Sequence, residues 1–419
     1  MSWKTRLVTA AIVTLAIFAE LAPTLKINPI NLANPNHSKA AAMTPNNHSD
    51  VDARLVAANT KFGFNLFNTL SKQQPNKNIF ISPTSVALVL SMTYNGVSGE
   101  TQQEMTKVLE FTGMTPQEIN AANQALQNSF QKVDHNIQVL IANSLWAQQG
   151  FSLKPDFLQT NQKYYNANLT ELNLMNPQAI SIINNWVSQK TQGKIEKIVD
   201  KISPDEVLFL INAIYFKGNW ETPFDRAQTT NNTFYLTDSS SKQHPMMSQS
   251  GFYRYYETDT FQAVSLSYGQ KVALRMYIFL PNSNINLATF LQELTPENWN
   301  KWMQQFRKIN GITEIPRFKI EYEVELKSTL IALGMAGIFD ISKADFSAMT
   351  DDNVAVDSVK HKTFVEVNEE GTEAAAVTSL QSRGGIPPFK MNVNRPFFCA
   401  IRDHTTGTIL FMGTIVDPQ

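Results

Sequence analysis

The run Val207 to Phe216, Val-Leu-Phe-Leu-Ile-Asn-Ala-Ile-Tyr-Phe, constrains this chain more than any other. It has no polar face, it is short for a helix, and it is rich in β-branched and aromatic residues. Those properties predict a central strand covered on both faces. A chain with such a strand must also supply layers above and below it. Only Asn212 interrupts the run, and a buried amide needs hydrogen-bond partners.

The covering layers are legible upstream. In Ala58 to Leu70, Phe62, Leu66, Phe67 and Leu70 recur at helical spacing and predict an amphipathic first helix. In the following segment Ser82 is placed as an N-cap, Pro83 at the first helical position and Gly96 as a stop. Between them Val86 to Leu90 and Met92 leave no polar face, so this helix is expected to be buried almost all round. Thr101 and Glu104 read as a capping box for the next helix. Asn176 and Pro177 open another, with Ile180, Ile183 and Val187 inward and Gly193 at its end. Glu325 to Leu333 reads as a helix ending on Gly334.

Strand patterns dominate the later chain: Phe252–Glu257, Val272–Pro281, Ile312–Leu326 and Lys362–Val367. Phe397–Asp403 and Thr408–Val416 flank His404 to Gly407 and predict a hairpin. With no internal repeat and no second linker, an α+β domain over residues 51–419 is the simplest account.

Ahead of it, Lys4 and Arg6 precede the apolar run 7–19, which fits the core of a signal peptide over residues 1–22. The alternative is an uncleaved membrane anchor through residues 7–19. Residues 23–50, rich in Asn and Pro, read as a disordered tether. The expectation is export, to the extracellular space or periplasm.

The 35 Lys and Arg balance 36 Asp and Glu, so no basic field invites nucleic acid. Cys399 is the only cysteine, which excludes an intrachain disulfide and suits a small buried hydrophobe. There is no Gly-x-Ser-x-Gly elbow, no phosphate-binding Gly-rich loop and no His-Glu-x-x-His. The six histidines are scattered, so neither a metal site nor an enzyme is indicated.

Near the C-terminus, Asn368-Glu369-Glu370-Gly371-Thr372-Glu373-Ala374-Ala375-Ala376 closely resembles the hinge of the serpin reactive-centre loop. The segments beginning at Asn78, Ile183, Leu210, Val359 and Asn394 also resemble serpin segments, in the expected order. The resemblance extends over essentially all of the chain from Val51 to Pro418.

It implies a serpin fold of three β-sheets and about nine helices, with an exposed reactive-centre loop as bait. It further implies an inhibitor of serine proteases, with cysteine proteases as the alternative target, that needs no cofactor, small-molecule substrate or catalytic residue. The protease cleaves the loop, is held as a covalent acyl-enzyme, and is carried across the sheet as the loop inserts as a strand. A monomer is expected, and a non-inhibitory binding or chaperone-like serpin is the alternative.

The residues of the loop suit insertion. Thr372, Ala374, Ala376, Thr378 and Leu380 would share one face, small or apolar. Glu373, Ala375, Val377, Ser379 and Gln381 would share the other. No proline interrupts Thr372 to Arg383, so no ladder donor is missing.

The resemblance also implies a sheet-opening network at Ser82, Ser85, Asn212 and His361, and a pair, Trp220 and Glu369, near the top of the sheet. The reactive bond stays open among three choices. Counting from Gly371 gives Gly385-Ile386, counting back from Ile386 gives Gly384-Gly385, and the chemistry of Arg383 favours Arg383-Gly384.

Overall fold

The computed structural model describes residues 51–131, 134, 136–271, 273–371 and 388–419. In chain order it runs α1 (Ala53–Gln73), β1 (Ile79–Ile81), α2 (Pro83–Tyr94), α3 (Gly99–Val108), α4 (Pro116–Gln131) and β2 (Ile137–Gln148). Then come α5 (Pro155–Tyr165), β3 (Asn168–Leu172), α6 (Ala179–Lys190), β4 (Leu208–Gly218), β5 (Thr230–Tyr235), β6 (Ser241–Glu257), β7 (Phe261–Tyr268) and β8 (Leu274–Pro281). The chain closes with α7 (Leu287–Glu293), α8 (Pro296–Met303), β9 (Arg307–Pro316), β10 (Phe318–Glu325), α9 (Lys327–Ala332), β11 (Ser358–Val367), β12 (Phe389–Asn392), β13 (Phe397–Asp403) and β14 (Ile409–Ile415).

The apolar run is β4, third in a five-stranded sheet ordered β10-β11-β4-β2-β3. One of its faces packs on the main core with Leu210, Ile214 and Phe216. The other packs Phe209, Ile211, Ala213 and Tyr215 against Ile183 and Val187 of α6 and against Ile195, Ile198 and Val199. At about 1.5–3 kcal/mol per fully buried large apolar side chain, this strand alone anchors both layers.

The remaining nine strands form one hydrogen-bonded network around the 17-residue β6. Along one edge of β6 lies β9, followed by β12, and along the other β5 pairs its first residues and β7 its last, with β8, β13, β14 and β1 beyond β7. The expected three-sheet layout is thus one separate sheet and two lobes sharing β6, with nine helices among the described residues.

Several sequence expectations hold in detail. Every residue of α2 is buried, and Ser82 caps it by accepting from the Ser85 N–H. Strands β13 and β14 form the expected hairpin. Cys399 is fully buried in β13, and burial pushes its thiol well above the usual range.

Two helix starts differ. The capping box at Thr101 and Glu104 does not form, because α3 already begins at Gly99 with Ser98 as its N-cap. The Thr101 hydroxyl and the Glu104 carboxylate instead accept from the N–H groups of Asp345 and Gly337, tying down the segment after α9. Helix α6 starts at Ala179, with the Asn176 side chain closing the preceding turn by accepting from Gln178 N–H.

No helix among the described residues is long and apolar enough to cross a membrane. The proposed leader and tether, residues 1–50, lie outside the described residues.

Candidate functional site

Strands β4 and β11 are adjacent and parallel, pairing Phe209–Tyr215 with Ser358–Phe364. At this seam His361 lies directly opposite Asn212, and Asn212 lies opposite Asn143 of β2. Three polar side chains therefore form a row across three strands. The capped first turn of α2 brings Ser82 and Ser85 up to it.

The bonds fix the protonation state. Ser82 N–H donates to His361 Nε2 at 3.1 Å, so His361 must carry its proton on Nδ1, which faces Asn212 Oδ1 at 2.5 Å. The Asn212 amide then donates to Ser85 Oγ and to Asn143 Oδ1. Ser82, Ser85, Asn212 and His361 are all fully buried. Burial, only partly opposed by the bond to Asn212, holds the His361 pKa down at about 3. The imidazole is neutral at ordinary pH.

The sequence residues Ser82, Ser85, Asn212 and His361 are thus brought together. Asn143 was not singled out. The signal was available, since an Asn inside the apolar run Ile137–Trp146 poses the same question as Asn212.

At the C-terminal end of the seam the chain leaves β11 through Asn368–Gly371. Gly371 bridges to Asn219, and Trp220 N–H and Phe224 N–H donate to the carbonyls of Glu370 and Glu369 at 2.9 and 2.7 Å. The Trp220 indole N–H donates to Asn368 O at 2.9 Å, and its ring stacks on Tyr268 with centroids 4.3 Å apart. Gly371 has φ +114°, and a Cβ there would meet Gly218 O at 2.3 Å and Trp220 N at 2.5 Å. Only glycine fits this close approach.

Trp220 holds the backbone of Asn368 and Glu370 and not the Glu369 carboxylate. Arg317 takes that carboxylate from its Nε at 2.8 and 2.9 Å and from Nη2, and Thr229 donates to it as well. Burial of Glu369 raises its pKa, but the bonds from Arg317 and Thr229 outweigh burial and carry it below the usual range. Glu370 pairs with Arg226. Arg226, Arg317, Lys319, Glu369 and Gln419 line a cleft of about 290 Å³ beside the hinge. The residues Thr372, Glu373, Ala374, Ala375 and Ala376 and the bond candidates Arg383, Gly384, Gly385 and Ile386 lie outside the described residues.

Residues 57–418 match the family model described as Serpin (serine protease inhibitor). The chain belongs to the serpin family. Human leukocyte elastase inhibitor is 35% identical over 387 residues, covering 87% of this chain and 100% of the relative. Among solved structures, the native state of the thermophilic serpin tengpin matches with a TM-score of 0.81 at 31% identity, over 88% of this chain and 95% of that one. Human thyroxine-binding globulin matches with a TM-score of 0.79 at 25% identity, over 88% and 99% of the two chains. In this serpin the polar row and the Asn368–Gly371 segment mark two points along one seam. The first lies midway, and the second lies where β11 ends.

Proposed function

We propose that this serpin is an exported inhibitor of serine-type endopeptidases, acting as a suicide substrate whose cleaved loop enters the seam between β4 and β11. The observation that carries the reading is the parallel pairing of those two strands, with the hinge at the end where β11 stops. A segment that reverses direction after β11 runs antiparallel to both neighbours. Insertion therefore replaces one parallel ladder by two antiparallel ones, and antiparallel pairing is the slightly stronger kind. Each new bond contributes roughly 0.5–1.5 kcal/mol net. The alternating, proline-free run from Thr372 to Arg383 suits such a strand.

On this reading Glu369 to Ala376 are the hinge, and the bond lies within Arg383 to Ile386. Ser82, Ser85, Asn212 and His361 resist opening at mid-seam, and Trp220 holds the entry. The chain acts as a monomer on a protease and requires no chemistry of its own. Residues 1–22 direct export, and retention by residues 7–19 as an anchor is the other outcome of N-terminal sequencing of the mature protein.

Incubation with trypsin-, elastase- and subtilisin-type enzymes tests the proposal. A complex that survives denaturing electrophoresis is expected, and the N-terminus of the released fragment identifies the bond. Cleaved product without complex, for every enzyme class, would sink it. Ala375→Pro should convert the inhibitor into a substrate by removing a ladder donor.

The likeness to a thyroxine-binding protein favours one second reading, a non-inhibitory binding serpin. That reading expects loop cleavage without a rise in thermal stability.

A further inference from the structure

On the lobe of β7, β8 and β13, away from the seam, three arginines share one face. Arg254 pairs with Ser265, Ser267 with Arg275, and Arg275 with Arg402. Residues paired across strands point to the same face, as do residues two apart on one strand such as Ser265 and Ser267. Arg254, Arg275, Arg402 and both serines therefore line one surface. Arg275 and Arg402 stand directly opposite each other, an arrangement that repels when uncompensated.

No compensation is present among the described residues. None of the three arginines forms an ion pair. Asp403, the adjacent carboxylate, accepts from Thr405 N–H at 2.7 Å and Thr406 N–H at 3.2 Å, which commits it to the hairpin turn. Glu221 favours the charged form of Arg275 but forms no ion pair with it. Buried Nε groups of Arg275 and Arg402 have no acceptor, and the Ser265 hydroxyl, 3% exposed, has no partner either. Such groups carry an energetic cost that a bound partner removes.

The surface is also held rigid. His404 N–H donates to Ala273 O at 2.7 Å, fixing the hairpin to the start of β8. The Arg402 guanidinium lies 3.1 Å from where a Cβ at Gly407 would stand. Loss of hydration and then the charges of Arg275, Arg254 and Arg402 hold the His404 pKa down at about 4.

We propose that Arg254, Arg275 and Arg402, with the Ser265 hydroxyl on the same sheet face, form a binding site for a phosphate or sulfate group, free or as an ester. Forked guanidinium donors match a tetrahedral oxyanion, whose several oxygens can take N–H bonds from more than one arginine at once. The hydroxyl of Ser265 adds a neutral donor. The site does not depend on the inhibitory reading.

Calorimetric titration of the full chain with inorganic phosphate, inorganic sulfate, a sugar phosphate and a sulfated disaccharide is the test. Saturable one-to-one binding is expected for at least one probe, weakened about tenfold or more in Arg275→Gln and Arg402→Gln and unchanged in Lys163→Gln. Tighter binding of an ester than of its free ion assigns the ester as the ligand, and equal binding assigns the ion. Arg402→Lys, which keeps the charge but loses the fork, should fold and still weaken binding severalfold. No saturable binding of any probe overturns the proposal. So does an equal loss in Lys163→Gln, or full affinity in Arg402→Lys.

Discussion

Asn212 and His361 face each other across the parallel strands β4 and β11, and the His361 Nδ1–H donates to the Asn212 side chain at 2.5 Å. This bond, midway along the seam, exists only while the imidazole is neutral at Nε2, where Ser82 N–H donates. Protonation of Nε2 would set two donors against each other inside the core.

Stability should therefore fall with acid. The folded pKa of His361, about 3, lies below its value of about 6.5 in an unfolded chain. The unfolded state binds the proton more tightly, so the contribution is complete above pH 6.5 and is lost as pH drops toward 3. The full span is on the order of 5 kcal/mol. Urea midpoints compared between wild type and His361→Gln across that window check it. A difference between the two that does not change with pH would count against the role.

The two acidic residues that follow β11 should differ in importance. Both are buried, but Glu369 is held by several donors from Arg317 and Thr229, whereas Glu370 has a single cation, Arg226, whose side chain is 66% exposed. Arg317→Ala should cost about 2 kcal/mol or more by stranding a buried carboxylate. Arg226→Ala should cost less than about 1 kcal/mol. Because the Glu369 pKa is depressed, the first contribution is present above the usual carboxylate range and is lost as pH falls through the folded value. Denaturation of both variants at neutral and acid pH measures the contrast.

Gly371→Ala should displace the segment that follows β11. The added Cβ has no room against Gly218 O and Trp220 N, and φ +114° is unfavourable for alanine. A loss of about 1–3 kcal/mol is expected, with faster proteolysis at the hinge as an independent readout.

Lys362 holds the segment after α6 onto the sheet. Its ammonium donates to Lys197 O at 2.6 Å and pairs with Glu321 and Glu323 of β10, although its side chain is only 8% exposed. Lys362→Met should raise amide exchange severalfold between Lys194 and Val199 while leaving the β2 amides protected. Uniform loss of protection would show a general destabilisation instead.

The fold was legible where burial is total or periodic. Val207–Phe216 could be nothing but a central strand, and α2 with no polar face could only be buried. Strand β2 was harder because its pattern is mixed: Val139–Ile141 are half-buried, whereas Ala142–Ala147 are buried. With β2 unread, Asn143 had no context, and the network implied by the resemblance lacked it. Thr101 and Glu104 misled because a capping box looks the same in sequence whether its side chains serve their own helix or a distant segment. The cation for Glu369 was invisible for a similar reason. Arg317 is 52 residues away, and only the turn between β9 and β10 brings it there.

Trp220 joins the hinge backbone through its indole N–H and lies flat on Tyr268 in a buried position. Indole emission shifts with polarity and with the loss of such a bond. The protein consequently carries an optical gauge at the end of β11. A Trp220→Phe chain supplies the blank, and stopped-flow fluorescence can time any separation of Asn368–Gly371 from Trp220 without an attached dye.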